Sequence, residues 1–299
     1  MKICRFSDDT TDDVRVGLGL VLDSDDKSAS VSDLRELSDD SPDVGELLAS
    51  GVDLAGLASL AERSPTVRID RAQLRAPIVR PPEFLAIGLN YRAHVAEGGR
   101  PDPTSPVVFN KQATCVNGPH QPVHIPADAP DLVDYEGELG VVIGKVCRHV
   151  PVERAREVVA GYLIVNDVSV RDWQMASPTM TMGKSWDTHG PIGPWFVTDD
   201  EIDDPMNLEL RTIVGDDVLQ QTNTGNMIFD IWTLIAYLST AFTLLPGTII
   251  ATGTPEGVGV FRDPRRMLAA GERVRVEIDG IGAIDNPVIT EPDPVCRIG

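Results

Sequence analysis

A chain of 299 residues, 42% hydrophobic and 24% charged, is long enough to bury a substantial core and has the composition of an ordinary globular protein. Its formal charge of −20 argues against a basic groove for a nucleic-acid backbone and against adhesion to anionic lipid, so an anionic ligand has to be caught by local positive charge. No run approaches the roughly 20 apolar residues that cross a bilayer, and no basic stretch followed by an apolar one opens the chain, so the cytoplasm is the expected location.

Taken in chain order, residues 16–22 read as a short strand running into a Ser-Asp-Asp-Lys turn. Residues 44–60 carry Leu47, Leu48, Leu54, Leu57 and Leu60 at helical spacing. Together they make a small N-terminal α/β module over residues 1–75, ended where Pro77, Pro81 and Pro82 interrupt any regular element. From Phe84 the character changes to short β-rich runs divided by Gly and Pro, at 84–87, 107–110, 139–146, 162–165, 208–214, 248–252 and 273–278. Residues 152–160, 168–174 and 228–243 read better as helices. Helices this few cannot sustain a βαβ alternation, so the expected class is α+β and mainly β, with a catalytic body over residues 80–292. Cys4, Cys115, Cys147 and Cys296 are scattered without a C-x-x-C pair, which argues against a disulfide framework or a zinc site. Cys115 reads as an inert small hydrophobe.

The most informative stretch is Asp134-Tyr135-Glu136-Gly137-Glu138-Leu139-Gly140-Val141-Val142-Ile143-Gly144. On a strand, residues two apart share a face, so Glu136 and Glu138 point together, with Gly140 and Gly144 leaving open space beyond them. Two adjacent carboxylates repel unless a cation or a shared proton intervenes; the alternative is a pair of solvated glutamates on an exposed sheet face. Asp167 follows the apolar run 162–165 and opens a short helical segment, as a metal ligand or simply as its N-cap. Within that segment Arg171 and Gln174 share a face and could bind a carboxylate or carbonyl. Three hard oxygen ligands favour Mg²⁺ or Mn²⁺ over zinc and leave coordination positions open to substrate oxygens.

His94 and Glu97 stand three apart, where a helical turn brings an imidazole against a carboxylate that orients it; the alternative is a surface pair without a role. The other histidines are weaker candidates: prolines around His120 and His124 oppose a helical metal pair, His149 reads as exposed, and His189 lies close enough to Lys184 to line a pocket. Gly183-Lys184-Ser185 is not a P-loop, because Pro178 occupies the position of the first glycine. Lys184 is then either a solvated lysine or a pocket ammonium. The polar stretch 221–229 could close a pocket, and Thr254, in a strand-end turn with Gly253 and Pro255, is either a ligand contact or turn chemistry.

These runs, E-G-E-L-G-V-V-I-G, N-D-V-S-x-R-D-x-Q and the later stretches in the same order, resemble the fumarylacetoacetate hydrolase family over about residues 80–290. The resemblance implies a mixed β-sandwich roll, with Glu136, Glu138 and Asp167 holding one Mg²⁺ or Mn²⁺ per chain. It further implies Arg171, Gln174 and Thr254 as substrate contacts, Lys184 as a pocket lysine and His94 with Glu97 as the hydrolytic pair. Ile87 stands where longer eukaryotic members carry an additional aspartate, which points to the shorter, three-carboxylate branch. The implied activity is hydrolysis of a C–C bond in a small 2,4-dioxo acid, of acylpyruvate or fumarylpyruvate type, through an enolate held on the metal. The alternative is an isomerase or decarboxylase of 2-hydroxyhepta-2,4-diene-1,7-dioate type in aromatic-compound catabolism. A homodimer is the implied assembly.

Overall fold

The computed structural model describes residues 1–8, 15–34, 43–52 and 54–292. The N-terminal part contains β1 (Lys2–Asp8), β2 (Arg15–Ser24), β3 (Ser28–Asp33), α1 (Val44–Ala49), α2 (Leu54–Ala61), β4 (Thr66–Asp70) and β5 (Leu74–Arg75). Next come β6 (Phe84–Gly88), α3 (Arg92–Glu97), β7 (Val107–Lys111), β8 (Val116–Asn117), β9 (Val123–Ile125) and β10 (Val133–Asp134). The middle of the chain forms β11 (Gly137–Ile143), β12 (Val159–Asn166), β13 (Ser169–Val170), α4 (Arg171–Met175), α5 (Thr181–Lys184) and β14 (Gly190–Thr198). It closes with β15 (Glu209–Val214), β16 (Asp217–Asn223), α6 (Ile231–Ala241), β17 (Ile249–Ala251), β18 (Arg273–Ile278) and β19 (Gly282–Thr290).

The architecture is α+β and mainly β. A 12-stranded sheet follows the order β4-β3-β2-β1-β14-β12-β11-β17-β6-β7, with β5 and β8 pairing off that path to β1 and β14. A five-stranded sheet, β16-β15-β18-β19-β9, packs against its middle. Every residue of β11 and of β14 is buried, the expected state of strands covered on both faces. Side-chain alternation divides them between two layers. Leu139, Val141, Ile143, Ile164, Trp195 and Val197 face the five-stranded sheet and the apolar side of α6. Val142, Leu163, Val165, Ile192 and Phe196 face the other way, onto α1 and α2. The N-terminal strands thus prolong the sheet of the body, because β1 pairs with β14 through Lys2 and Ile3.

Several elements differ from the pattern in the sequence. The helical run over 44–60 is two helices, broken around Gly51, whose φ of +72° ends the first. Residues 152–158 form a 3₁₀ helix, and Val159 already belongs to β12, paired with Ile143. Asp167 caps no helix: Ser169 and Val170 are a strand, and α4 begins at Arg171. Gly140 and Gly144 do not border open space. A Cβ on Gly140 would stand 2.6 Å from Leu163 Cδ1, and one on Gly144 would stand 2.8 Å from Ala160 Cβ. They are small because β12 packs tightly over them. Cys296 lies outside the described residues; Cys4, Cys115 and Cys147 form no disulfide, and burial pushes the Cys115 thiol up to about 11.

Candidate metal centre and acid–base pair

The centre lies where β10, β11 and the end of β12 converge. Antiparallel pairing sets Gly137 opposite Asn166, which places Glu136 and Asp167 side by side just beyond the two strands. The Asp167 N–H donates to the Glu136 carbonyl at 2.8 Å, and the Asn166 side chain accepts from the Glu136 N–H at 3.0 Å. Glu138, two residues along, projects to the same side. One carboxylate oxygen from each of Glu136, Glu138 and Asp167 lies within 4.8 Å of the others, and all three residues are buried. Among the described residues no other trio of His, Cys, Asp or Glu ligands gathers in this way.

Basic groups surround the trio unevenly. Lys184 Nζ reaches Glu136 Oε2 at 2.5 Å and Asp167 Oδ2 at 2.7 Å. Arg171 bridges Glu136 Oε1 at 2.6 Å and Asp134 Oδ2 at 2.8 Å. Burial pushes the Glu136 carboxyl up, but the Lys184 ammonium and Arg171 guanidinium outweigh it and hold the group at about 2. Glu138 is in the opposite situation: burial and the charges of Asp167 and Glu136 raise it well above the usual carboxylate range. Its one fixed hydrogen bond among the described residues comes from the Gly253 N–H, at 2.8 Å. The buried acids Asp134, Glu136, Glu138 and Asp167 outnumber the buried bases Lys111, Lys184 and Arg171 by one. A divalent cation on the trio reverses that imbalance and leaves a positive site for an anionic ligand. The donor set, all hard oxygen with one carboxylate lacking a counter-charge, fits such a cation.

Lys111 had no signal in the sequence beyond one lysine at the end of an apolar strand. Its buried ammonium donates to Asp167 Oδ1 at 2.7 Å and also to the Lys184 carbonyl, tying β7 to α5. Gln220, on β16, is a second such residue: its amide donates to Thr254 Oγ1 at 2.8 Å and accepts from the Gly137 N–H at 3.0 Å.

The other sequence-derived candidates fall around this centre. On α3, His94 Nδ1 and Glu97 Oε1 are 2.7 Å apart, and the second Glu97 oxygen accepts from the Gly257 N–H at 2.9 Å. The imidazole is 7% exposed and lies within electrostatic range of Glu136. Asn90 anchors the approach to α3 by donating to the Thr252 carbonyl at 2.7 Å and accepting from the Phe229 N–H at 2.9 Å. Gln174 accepts from Arg171 at 2.9 Å, at the edge of the centre. The Thr254 hydroxyl is turned inward, donating to the Gly137 carbonyl at 3.2 Å. His189 is fully buried, with Nε2 2.7 Å from the His124 carbonyl, and burial lowers it to about 3. Two clefts are lined by residues next in sequence to these groups, though by none of the trio. One of about 450 Å³ runs along α3 past Tyr91, Arg92, Ala96 and Asn226, and one of about 550 Å³ is walled by Trp173 and Trp186.

Comparison with known proteins gives a consistent picture. The family model described as fumarylacetoacetate (FAA) hydrolase C-terminal matches residues 83–289. The mitochondrial oxaloacetate tautomerase fahd2 of Xenopus laevis is 40% identical over 294 residues, 97% of this chain and 90% of that protein. The crystal structure of maleylpyruvate hydrolase from Sphingobium sp. SYK-6, in complex with manganese(II) ion and pyruvate, is 32% identical with a TM-score of 0.78 over 98% of this chain and 100% of that one. The 2-hydroxyhepta-2,4-diene-1,7-dioate isomerase of Mycobacterium marinum is 31% identical with a TM-score of 0.74, again over 98% and 100%.

Proposed function

From the premise that this chain belongs to the fumarylacetoacetate hydrolase family, we propose that it is a divalent-cation-dependent enzyme hydrolysing a C–C bond in a small 2,4-dioxo acid of acylpyruvate or fumarylpyruvate type. The observation that carries the hydrolytic reading is the His94–Glu97 pair, hydrogen-bonded at 2.7 Å and held beside the carboxylate trio. Glu136, Glu138 and Asp167 would hold Mg²⁺ or Mn²⁺, which supplies Lewis-acid polarisation of the substrate's oxygens.

The chain's own residues account for the remaining steps. Arg171 and Gln174 orient the substrate carboxylate, while the Thr254 hydroxyl, held by Gln220 and the Gly137 carbonyl, fixes the turn beside it. His94, its Nδ1–H held by Glu97, takes a proton at Nε2 from a water that attacks the 4-carbonyl. The C3–C4 bond breaks, its electron pair passes into the enolate of the pyruvate fragment, and the acyl fragment leaves as a carboxylic acid. The Lys184 ammonium stabilises the developing enolate charge, and protonation at C3 completes the reaction.

Keto–enol tautomerisation of a 2-oxo diacid is the second reading, favoured by the 40% identity to the Xenopus tautomerase over nearly the whole chain. It needs the enolate but no attacking water. A panel of acylpyruvates and β-oxo diacids, followed by loss of diketone absorbance and product identification, separates the two. His94→Ala is expected to slow cleavage by roughly 100-fold or more, the loss typical of a missing general base, while deuterium exchange at C3 persists. Full cleavage activity in His94→Ala would remove His94 as the base, whereas exchange at C3 without cleavage of any acylpyruvate by the parent would sink the hydrolytic reading in favour of the second.

A further inference from the structure

The loop from Gly253 to Val260 is hydrogen-bonded to the Asp134–Glu138 run at five of its eight residues. Gly253 N–H donates to Glu138 Oε2 at 2.8 Å, and the Thr254 hydroxyl donates to the Gly137 carbonyl at 3.2 Å. The Tyr135 hydroxyl donates to the Gly257 carbonyl at 2.9 Å. The N–H groups of Gly259 and Val260 donate to the two Asp134 oxygens at 2.8 and 3.0 Å. Between these anchor points, the Gly257 N–H is the group that holds Glu97 Oε2 at 2.9 Å. Asp134 and Tyr135 are both fully buried, and neither is among the three carboxylates of the metal centre.

We propose that Asp134 and Tyr135 are positioning residues that set the His94–Glu97 pair in register with the carboxylate trio, acting through the Gly257 peptide. Fixing both ends of one short loop to the continuous run from Asp134 on β10 to Glu138 on β11 makes the separation of base and metal centre a property of that run. Gly257 itself has no freedom to drift. Its φ is +96°, and a Cβ there would stand 2.1 Å from the Leu219 carbonyl. The sequence order follows: Asp134 holds the far end of the loop, Tyr135 the peptide that carries Glu97, and Glu138 the near end.

This inference rests on the hydrolytic reading of the His94–Glu97 pair, and the variants are chosen to test the two apart. In Asp134→Asn one acceptor oxygen becomes an NH₂ group facing either the Val260 N–H and the Arg171 guanidinium or the Gly259 and Tyr135 N–H groups. Arg171 keeps Glu136 and Gln174 as partners, so the loss falls chiefly on the loop. Tyr135→Phe retains the packed ring and removes only the O–H to Gly257, which keeps the test sharp if Asp134→Asn folds poorly.

With acetylpyruvate as probe, three quantities are measured in the full-length, Mn²⁺-loaded protein and in His94→Ala as reference: cleavage kcat, deuterium exchange at C3, and Mn²⁺ affinity by calorimetry. Asp134→Asn and Tyr135→Phe are expected to lower cleavage by roughly tenfold or more, the scale on which outer-shell partners act. Exchange and Mn²⁺ affinity are expected to stay within about threefold of the parent, because neither requires the pair. If His94→Ala loses cleavage and both variants keep it, the positioning role is wrong while the hydrolytic reading stands. If His94→Ala cleaves normally, the pair is not the base and the positioning role falls with it; if the parent exchanges C3 without cleaving, the hydrolytic reading itself falls. Parallel loss of cleavage, exchange and Mn²⁺ affinity would show a merely structural role and overturn the inference.

Discussion

Glu138 is the residue on which the metal centre turns, since Lys184 and Arg171 neutralise its neighbours and leave it to a single backbone N–H. Glu138→Gln is expected to leave the metal-free protein as stable as the parent or more so, because it removes a buried repulsion. The same variant is expected to lose stabilisation by Mn²⁺, which for a single site reaches about 2.7 kcal/mol at a hundredfold excess over Kd; thermal melts with and without Mn²⁺ check both. His189 makes a different prediction. Its folded value of about 3 lies below the ordinary 6.5, so between those values the unfolded chain binds one more proton than the folded one. Stability therefore falls as pH drops from 6.5 towards 3, by about 1.4 kcal/mol per pH unit from this group. Urea titrations at pH 7, 5 and 4 should show a correspondingly shallower decline in His189→Gln. Much of this geometry is short-range and legible in the sequence: strand alternation aligns Glu136 with Glu138, and a helical turn brings His94 to Glu97. Lys111 and the buried state of His189 are not, because they depend on which distant strands end beside them.

At the scale of elements, the N-terminus of α1 shows how a local signal is put to long-range use. Asp43 caps the helix, its Oδ1 accepting from the Glu46 N–H at 2.9 Å while Glu46 returns the bond in a capping box. The other Asp43 oxygen accepts from the Val79 N–H at 2.6 Å, which fixes the segment leading into β6. Asp43→Ala is expected to cost about 1–2 kcal/mol, as a lost N-cap does, visible as a lower urea midpoint with unchanged cleavage kinetics. The strand β14 was far less legible. Two prolines and two glycines in Gly190-Pro191-Ile192-Gly193-Pro194 carry no strand signal, yet the whole strand is buried mid-sheet. The irregular register opposite Tyr162 and Ile164 accommodates it. Residues 152–160 misled in the opposite sense: apolar spacing suggested a helix, while the pairing of Val159 with Ile143 draws the end of that run into the sheet. Pairing partners decide such cases, and periodicity does not contain them.

For the molecule as a whole, the charge of −20 is carried mostly by surface around a buried centre in which acids outnumber bases by one, and no helix among the described residues is long and apolar enough to cross a membrane. We expect a homodimer, with light scattering giving about twice the 32.3 kDa of one chain; a mass of one chain at micromolar concentration would refute it. The order of the large sheet has a further consequence. β17, residues 249–251, lies between β11 and β6, antiparallel to the first and parallel to the second. A nascent chain still on the ribosome and ending short of Ile249 has already delivered Glu136, Glu138, Asp167, Lys184 and the His94–Glu97 helix. It lacks the strand that joins their two halves of the sheet, and with it Gly253 and Gly257, whose N–H groups hold Glu138 and Glu97. Contacts at such sequence separation form late. Translation must therefore run to within the last sixth of the chain before metal centre and acid–base pair can stand together, so a product truncated before Ile249 would carry every candidate catalytic and metal-binding side chain and still have no assembled site.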